Sequence, residues 1–383
     1  MTVLDNVIAT AHEPLERAQS LPFSVYTDPD ILVVEAQQIF ASDWVFVCMA
    51  NEIPNPGDYY SITLAGEPIV VIRQADQSLT GLINVCRHRG TVLLDEGFGH
   101  IDKYITCPYH AWAYDLEGVL KAIPHNQLIA VDREAHQLDT FQVATWNGLV
   151  FVNLDNNAPP LTDRLRGIDD YLRLFEPHTL TDVSPGEPEV WQTNWKLAME
   201  NAMESYHLFQ VHEQTLETIS PTRDAYYIAG SSEWSLTGGA TQRKKGMLES
   251  VFGGDHNELL EHYVLVSLPP SFVGVLTYGS FGWLSAHPID AGNTRIRSGA
   301  TVFPGYSGMS GADPFTKAFF DEDRQICERV QRGMQSRLGR GGKLTDMERV
   351  VVDFHQYLAT RLGGSAPTPL FEEEAATAWR EAT

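Results

Sequence analysis

Basic residues are scarce in this chain. Against 50 Asp and Glu stand 27 Lys and Arg, a formal net charge of −23 over 383 residues. Neutralising a phosphate backbone takes clustered Lys and Arg, so this balance argues against nucleic acid, and an anionic lipid surface would repel it equally. Cysteine is scarcer still, with four residues, Cys48, Cys86, Cys107 and Cys327. A chain of this size with so few is not a disulfide scaffold, and a reducing cytoplasm is the expected setting. No apolar run approaches the ~20 residues that span a bilayer. Met1 to Gln19 also lacks the basic stretch and apolar core of a secretory signal, so no membrane association is expected. The chain has no internal repeat, no low-complexity tract and no G-x-G-x-x-G fingerprint. Gly339-Arg340-Gly341-Gly342 lacks the Lys-Ser/Thr of a phosphate-binding loop and reads as a plain loop. With no nicotinamide or flavin site, the chain is not expected to draw electrons from NAD(P)H by itself.

Apolar residues make up 43 %, enough to fill a large core, and the length suits two or three domains. Residues 1–40 read as helix and extended linker, with helical pieces at Pro14–Gln19 and Asp28–Ala41. Short β-rich runs follow (Trp44–Met49, Tyr59–Leu64, Pro68–Arg73, Leu79–Val85, Gly148–Asn153), punctuated by turns such as Asn55-Pro56-Gly57-Asp58. Such spacing indicates an all-β unit, 41–156. The proline-rich Asn156-Asn157-Ala158-Pro159-Pro160 is the linker. Beyond it, 157–383 mixes a helical stretch (Leu161–Phe175), a helical run Trp195–Val211, strand-like runs (Val264–Val266, Val273–Tyr278, Arg295–Phe303) and a long helix Pro314–Leu338. The fold class is therefore α+β, an all-β domain followed by an antiparallel sheet with a long helix.

Two pairs of metal-binding residues stand in the all-β unit. Cys86-Arg87-His88 is followed, after eighteen intervening residues, by Cys107-Pro108-Tyr109-His110. Structural zinc sites usually pair like with like, as C-x₂₋₄-C and H-x₃₋₅-H. Here each loop carries one thiolate and one imidazole. That suits a [2Fe–2S] cluster in which two Cys hold one iron and two His the other, the Rieske type.

A second group lies on the helical run Trp195–Val211 and its end: Glu204, His207 and His212. Five residues apart, the two histidines stand about 140° apart around an ideal helix. They converge on one metal only if the helix ends or bulges between them. Two histidines and a carboxylate form the facial triad of non-heme Fe(II) oxygenases.

Asn84-Val85-Cys86-Arg87-His88-Arg89-Gly90 with Cys107-Pro108-Tyr109-His110-Ala111-Trp112 resembles the Rieske domain of the large (α) subunit of Rieske non-heme iron oxygenases. Pro56-Gly57-Asp58-Tyr59, Val70-Val71-Ile72-Arg73 and Glu204-x-x-His207-x-x-x-x-His212 extend the likeness over nearly the whole chain. Rieske proteins of the respiratory and photosynthetic complexes carry an extra Cys in each loop, which this chain lacks. The resemblance implies a Rieske domain and a helix-grip catalytic domain on which the N-terminal segment packs. It implies cluster ligands Cys86, His88, Cys107 and His110. It also implies a mononuclear Fe(II) on His207, His212 and Asp323, with Asp321 and Glu322 one slip away. Glu204 then links a cluster histidine of one subunit to an iron histidine of the next in a homotrimer. O₂ is co-substrate, and a ferredoxin- or flavin-type reductase supplies electrons from NAD(P)H.

Arene dihydroxylases of the family commonly have Asp where this chain has Glu204. The longer side chain, with Ile326–Met334 and Asp353-Phe354-His355, resembles the choline, glycine betaine and carnitine oxygenases. Oxidative N-demethylation or hydroxylation of such a small quaternary ammonium compound, stachydrine-like ones included, is the expected activity. A quaternary ammonium calls for an aromatic cage, with Trp234, Tyr263, Tyr278 and Trp283 as candidates. Aromatic-ring hydroxylation is the rival expectation, and a non-catalytic electron carrier a third. Arg87, Arg89, Lys103 and Lys121 gather near the metal loops as a docking patch for an acidic electron donor.

Overall fold

The computed structural model describes residues 3–241, 261–305 and 314–363. The chain divides into two compact units, residues 36–161 and residues 1–35 with 162–383.

The first unit is all β. Its strands are β1 (Val45–Met49), β2 (Asp58–Leu64), β3 (Glu67–Arg73), β4 (Leu79–Ile83), β5 (Gly97–His100), β6 (Ile105–Thr106), β7 (Ala113–Tyr114), β8 (Leu120–Ala122), β9 (Thr140–Trp146) and β10 (Leu149–Asn153). Seven form one antiparallel sheet in the order β1-β10-β9-β4-β3-β2-β5, and β6-β7-β8 form a second. Tight turns set the registers. Asn147-Gly148 joins β9 to β10 and Ala65-Gly66 joins β2 to β3, each with positive φ at both residues (48° and 79°; 54° and 84°). That is the mark of a type I′ turn, whose twist matches the flanking strands. Cys86 and Cys107 belong to the apolar core of this unit, with Val70, Leu82, Trp112 and Tyr114.

The second unit is built on an antiparallel sheet. Its strands are β11 (Asp182–Pro185), β12 (Glu189–Trp191), β13 (Ala225–Gly230), β14 (Ser235–Ala240), β15 (His262–Leu268), β16 (Phe272–Thr277), β17 (Ser280–Asp290) and β18 (Asn293–Val302). The order is β11-β18-β17-β16-β15-β14-β13, with β12 also on β18. Its helices include α1 (Val3–Ala11), α2 (Pro29–Glu35), α3 (Leu161–Arg164), α4 (Asp169–Leu172), α5 (Trp195–Ala202), α6 (Leu208–Val211), α7 (Pro314–Met334) and α8 (Arg349–Arg361).

Three sequence expectations need correction, and one helix carried no expectation. Val3–Ala11 is helical, whereas Pro14–Gln19 contracts to a 3₁₀ turn at Leu15–Arg17. The helix expected over Asp28–Ala41 is α-helical to Glu35 and then a π turn, Ala36–Phe40. The run Trp195–Val211 is two helices rather than one. Finally, α8 was not anticipated, because its Val350-Val351-Val352 start favours a strand reading. Burial of Val350 through Ala359 decides otherwise: a helix enclosed all round needs no polar face.

Candidate active site

The break between α5 and α6 makes the first centre. Asn194 starts α5 as its N-cap, its side chain accepting from the Lys196 N–H. Neither Gly nor Pro interrupts Met203–Tyr206. Instead the Glu204 carboxylate accepts from the backbone N–H groups of Tyr206 and His207, offering the chain a turn in place of a helix. His207 and His212 then flank the single turn of α6, their ring centroids 5.1 Å apart. The helix therefore ends before the pair, and one short turn lies between them.

From α7, Asp323 meets both rings. Its Oδ1 is 3.0 Å from His212 Nε2 and 3.5 Å from His207 Nε2. One ligand atom from each of His207, His212 and Asp323 lies within 4.8 Å of the others. The Nδ1 atoms turn outward onto carboxylates: His207 Nδ1 lies 2.5 Å from Glu204 Oε1, and His212 Nδ1 2.8 Å from Glu322 Oε2. Thr215 holds Glu322 with a 2.6 Å hydrogen bond. Each Nδ1–H donated to a carboxylate leaves the Nε2 lone pair free for a metal. Asp321, the other neighbour, pairs with Arg324 at 2.7 Å and stays outside this group.

The electrostatics favour a cation here. Burial works against a charge on His207, yet hydrogen bonds to Asp323 and Glu204 outweigh it and push its pKa up to about 10. Burial would raise Asp323, but hydrogen bonds from the same two histidines hold its carboxyl below its ordinary value.

The Cys/His loops of the other unit are built alike. Cys86 N–H bonds to Thr91 O and Gly90 N–H to Cys86 O; Cys107 N–H bonds to Trp112 O and Ala111 N–H to Cys107 O. Each loop turns at a positive φ, 75° at Gly90 and 55° at Ala111. Glycine adopts that conformation freely, whereas alanine pays about 1–2 kcal/mol. The sulfurs are buried, the imidazoles exposed, and the His88 and His110 rings lie 4.7 Å apart. His88 stacks on Trp112 at 4.6 Å. Cys86 Sγ is 3.3 Å from the Tyr114 hydroxyl. Burial raises the Cys86 thiol; Cys107 lies below its ordinary value because, against burial, the Tyr109 and His110 N–H groups bond its sulfur. Both donor sets fit the groups that the sequence implies: paired thiols with paired imidazoles for a [2Fe–2S] cluster, two imidazoles with a carboxylate for iron.

Residues 43–141 match the family model described as the Rieske [2Fe-2S] domain, and residues 170–364 match that of the ring hydroxylating alpha subunit (catalytic domain). This chain belongs to the ring-hydroxylating alpha-subunit family. The two models support a [2Fe–2S] cluster and a mononuclear iron as its cofactors. Among similar proteins, the glycine betaine monooxygenase oxygenase subunit of Chromohalobacter salexigens is 35 % identical over 57 % of this chain. That match spans only 50 % of the relative's length. The carnitine monooxygenase oxygenase subunit of Acinetobacter baumannii is 29 % identical, over 88 % of this chain and 92 % of the relative. The solved structure of a quaternary ammonium Rieske monooxygenase, described for carnitine oxidation by gut microbiota and inter-subunit electron transfer, has a TM-score of 0.77 and 25 % identity. It covers 93 % of this chain and 98 % of that one.

In this alpha subunit a cavity of about 200 Å³ opens beside the His207–His212–Asp323 group. Of the four cage candidates, Tyr263 and Trp283 line it. Trp234 is buried against Tyr171, and Tyr278 is half exposed against Phe303. Trp283 already carries the Arg297 guanidinium 5.5 Å from its ring centroid. Sequence reasoning missed Trp191, Phe319 and Phe320, which also line the cavity, and Asn201, whose Nδ2 is 3.2 Å from His207 Nε2. The roles of Glu322 and Thr215 were equally hidden. Glu322 stands beside Asp323, but only the helix packing shows which ring each carboxylate reaches. Of the basic patch, Arg87 pairs with Asp139 and Lys121 with Asp115, while Arg89 lies over the exposed Tyr109 ring. Two of the four charges are thus neutralised by their own neighbours. Among the described residues no helix is long and apolar enough to cross a membrane.

Proposed function

We propose that this chain is the terminal oxygenase of a multicomponent system that demethylates a small quaternary ammonium compound of the choline, glycine betaine, carnitine or stachydrine type. Electrons come from NAD(P)H through a separate ferredoxin- or flavin-type reductase, and the setting is the cytoplasm, where its four free cysteines stay reduced. One observation carries the substrate reading. The cavity wall is aromatic and aliphatic, Glu204 and Asp323 are its charged groups, and none of its described residues is Lys or Arg. A cation that cannot donate hydrogen bonds is held by ring faces, and a wall without Lys or Arg does not repel it. Trp191 and Tyr263 supply the faces, and Phe319 and Phe320 close the wall. The similarity to carnitine and glycine betaine oxygenase subunits supports the same class.

When bound, iron(II) on two imidazoles and a carboxylate would leave positions open for O₂, and a [2Fe–2S] cluster would supply electrons one at a time. Cys86, His88, Cys107 and His110 would hold that cluster, and His207, His212 and Asp323 the iron. Glu204 and Glu322 fix the two rings through Nδ1, setting Nε2 toward Asp323. In the overall reaction one oxygen atom enters a methyl C–H bond and the other leaves as water with two electrons and two protons. The N-hydroxymethyl product splits into formaldehyde, a proton and the demethylated amine. We place the electron transfer between subunits of a homotrimer, from His110 of one chain to Glu204 and His207 of the next.

The test is turnover with a reductase, NADH and a panel of choline, betaines, carnitine and arenes. Formaldehyde from a quaternary amine, matched to amine lost, is the expected result. Diol from an arene with no formaldehyde from any betaine would move the chain to ring hydroxylation.

A further inference from the structure

We propose that Cys327 is a positioning residue of the mononuclear centre, its thiol holding the Asn201 amide so that the N–H, rather than the oxygen, faces His207 Nε2. This deepens the oxygenase reading above and rests on it.

The contacts run in one line. Cys327 lies on α7, one turn beyond Asp323, and is 2 % exposed. Its Sγ donates to Asn201 Oδ1 at 3.2 Å and lies 3.8 Å from Leu197 O on the same helix, α5. Asn201 Nδ2 in turn sits 3.2 Å from His207 Nε2. An amide has one acceptor end and one donor end. Turned over, it would set its NH₂ against the thiol and its oxygen against the Nε2 lone pair, losing both bonds. Burial, reinforced by the carboxylates of Asp323, Glu200, Glu328 and Glu204, raises the Cys327 thiol well above its ordinary value, so it remains a donor.

The donor end has a use. His207 donates its Nδ1–H to Glu204, which assigns Nε2 to the metal. Once the lone pair is engaged, the Asn201 N–H loses that acceptor and is left facing the cavity it lines. It would then be a neutral donor beside the positions that an iron held here would leave open for O₂. A donor there costs no proton and no charge, and its value depends on its aim. Cys327 supplies the aim without touching the metal ligands.

The experiment compares Cys327→Ala, Cys327→Ser, Asn201→Ala and the double variant Cys327→Ala/Asn201→Ala in the full-length protein. Two readouts are taken: formaldehyde formed per O₂ consumed, and the visible spectrum of Co(II) loaded into the mononuclear site. Cys327→Ala is expected to lower the coupling ratio about tenfold with KM unchanged, the scale of an outer-sphere change at a metal. Cys327→Ser, which keeps a donor, retains most of the coupling. The double variant matches Asn201→Ala alone, because both changes remove one chain of contacts. The Co(II) spectra group the same way, wild type with Ser and Ala with Asn201→Ala. Thermal unfolding checks the fold; if Cys327→Ala fails to fold, Cys327→Val removes the donor without leaving a void. Wild-type coupling and spectrum in Cys327→Ala, or effects that multiply in the double variant, overturn the proposal. If no substrate is oxidised by any form while the Co(II) spectra group as expected, the oxygenase reading fails and the Cys327 inference stands.

Discussion

His207 carries more of this site than any other residue. Its Nδ1 is committed to Glu204, and its Nε2 faces Asp323 and Asn201. His207→Ala is expected to abolish product formation and to lower iron per chain while labile sulfide and the visible cluster spectrum stay constant. Sulfide falling with iron would show that the two centres are not separate. A second residue-scale effect lies away from the chemistry, at Asp353 on α8. Burial pushes its carboxyl up to about 7, opposed by the Tyr227 hydroxyl, which donates at 2.9 Å, and by Arg349. The folded value lies above the ~3.9 of an unfolded Asp. Its stabilisation is therefore fully present below that pH and is lost as pH rises through about 7. Asp353→Asn stays neutral throughout and still accepts from Tyr227. The Tm of this variant should rise relative to wild type between pH 5 and pH 8, by on the order of a few kcal/mol in unfolding free energy. A difference that does not vary with pH would mean that Asp353 is ionised in the fold.

Among the elements, α5 bears the greatest burden. Its C-terminal end presents Asn201, and the chain leaving it presents Glu204 and His207. Its N-terminal end is fastened by ions: Lys196 Nζ meets Glu35 Oε1 at 2.7 Å, both side chains fully buried, and Trp195 Nε1 donates to Glu35 Oε2 at 2.8 Å. Gln331 of α7 accepts from the Asn194 N–H at 2.8 Å. Glu35 ends α2, so residues far apart in the chain fix the helix that aims the histidines. Removing one member of a buried ion pair strands the other charge. Glu35→Ala should cost about 3–5 kcal/mol in chemical denaturation. A loss under about 1 kcal/mol would mean that Lys196 sheds its charge or finds water. The long α7 shows how much its sequence disclosed. Its amphipathic pattern announced a helix, and the family resemblance singled out Asp323 among three adjacent acids. Arg324 meets Asp321 three residues along the same helix, whereas the reach of Glu322 to His212 depends on the rotation of α7 against α6.

Across the whole molecule, the proposed electron path between subunits makes a prediction that single variants cannot test. His110→Ala impairs the cluster, His207→Ala the iron, and each alone should be inactive. Mixed by unfolding and refolding or by co-expression, they should regain part of the activity, because an intact cluster then meets an intact iron in the next chain. Light scattering should give three times 42.7 kDa for the active species. No recovery from assembled mixtures would confine electron transfer to one chain.

Short-range order along the chain was enough to specify the metal loops. Cys86 with His88, and Cys107 with His110, stand so close in sequence that each pair shares one loop. Gly90, with its positive φ, marks where the first loop turns. Strands β1 to β4 and β10 were legible for the same reason, since alternating or continuous apolar runs between turns are local patterns, whereas β5 to β9 were not anticipated. Glu204, His207 and His212 could be named, but not the helix break that aims them. That break arises from a carboxylate bonding to backbone N–H groups, in a stretch with no Gly or Pro. Asn201, Thr215, Trp191 and Cys327 became functional candidates only in the folded chain. Their partners lie across packed helices and sheet registers, and nothing in a linear sequence encodes which of several equivalent side chains a helix will turn inward.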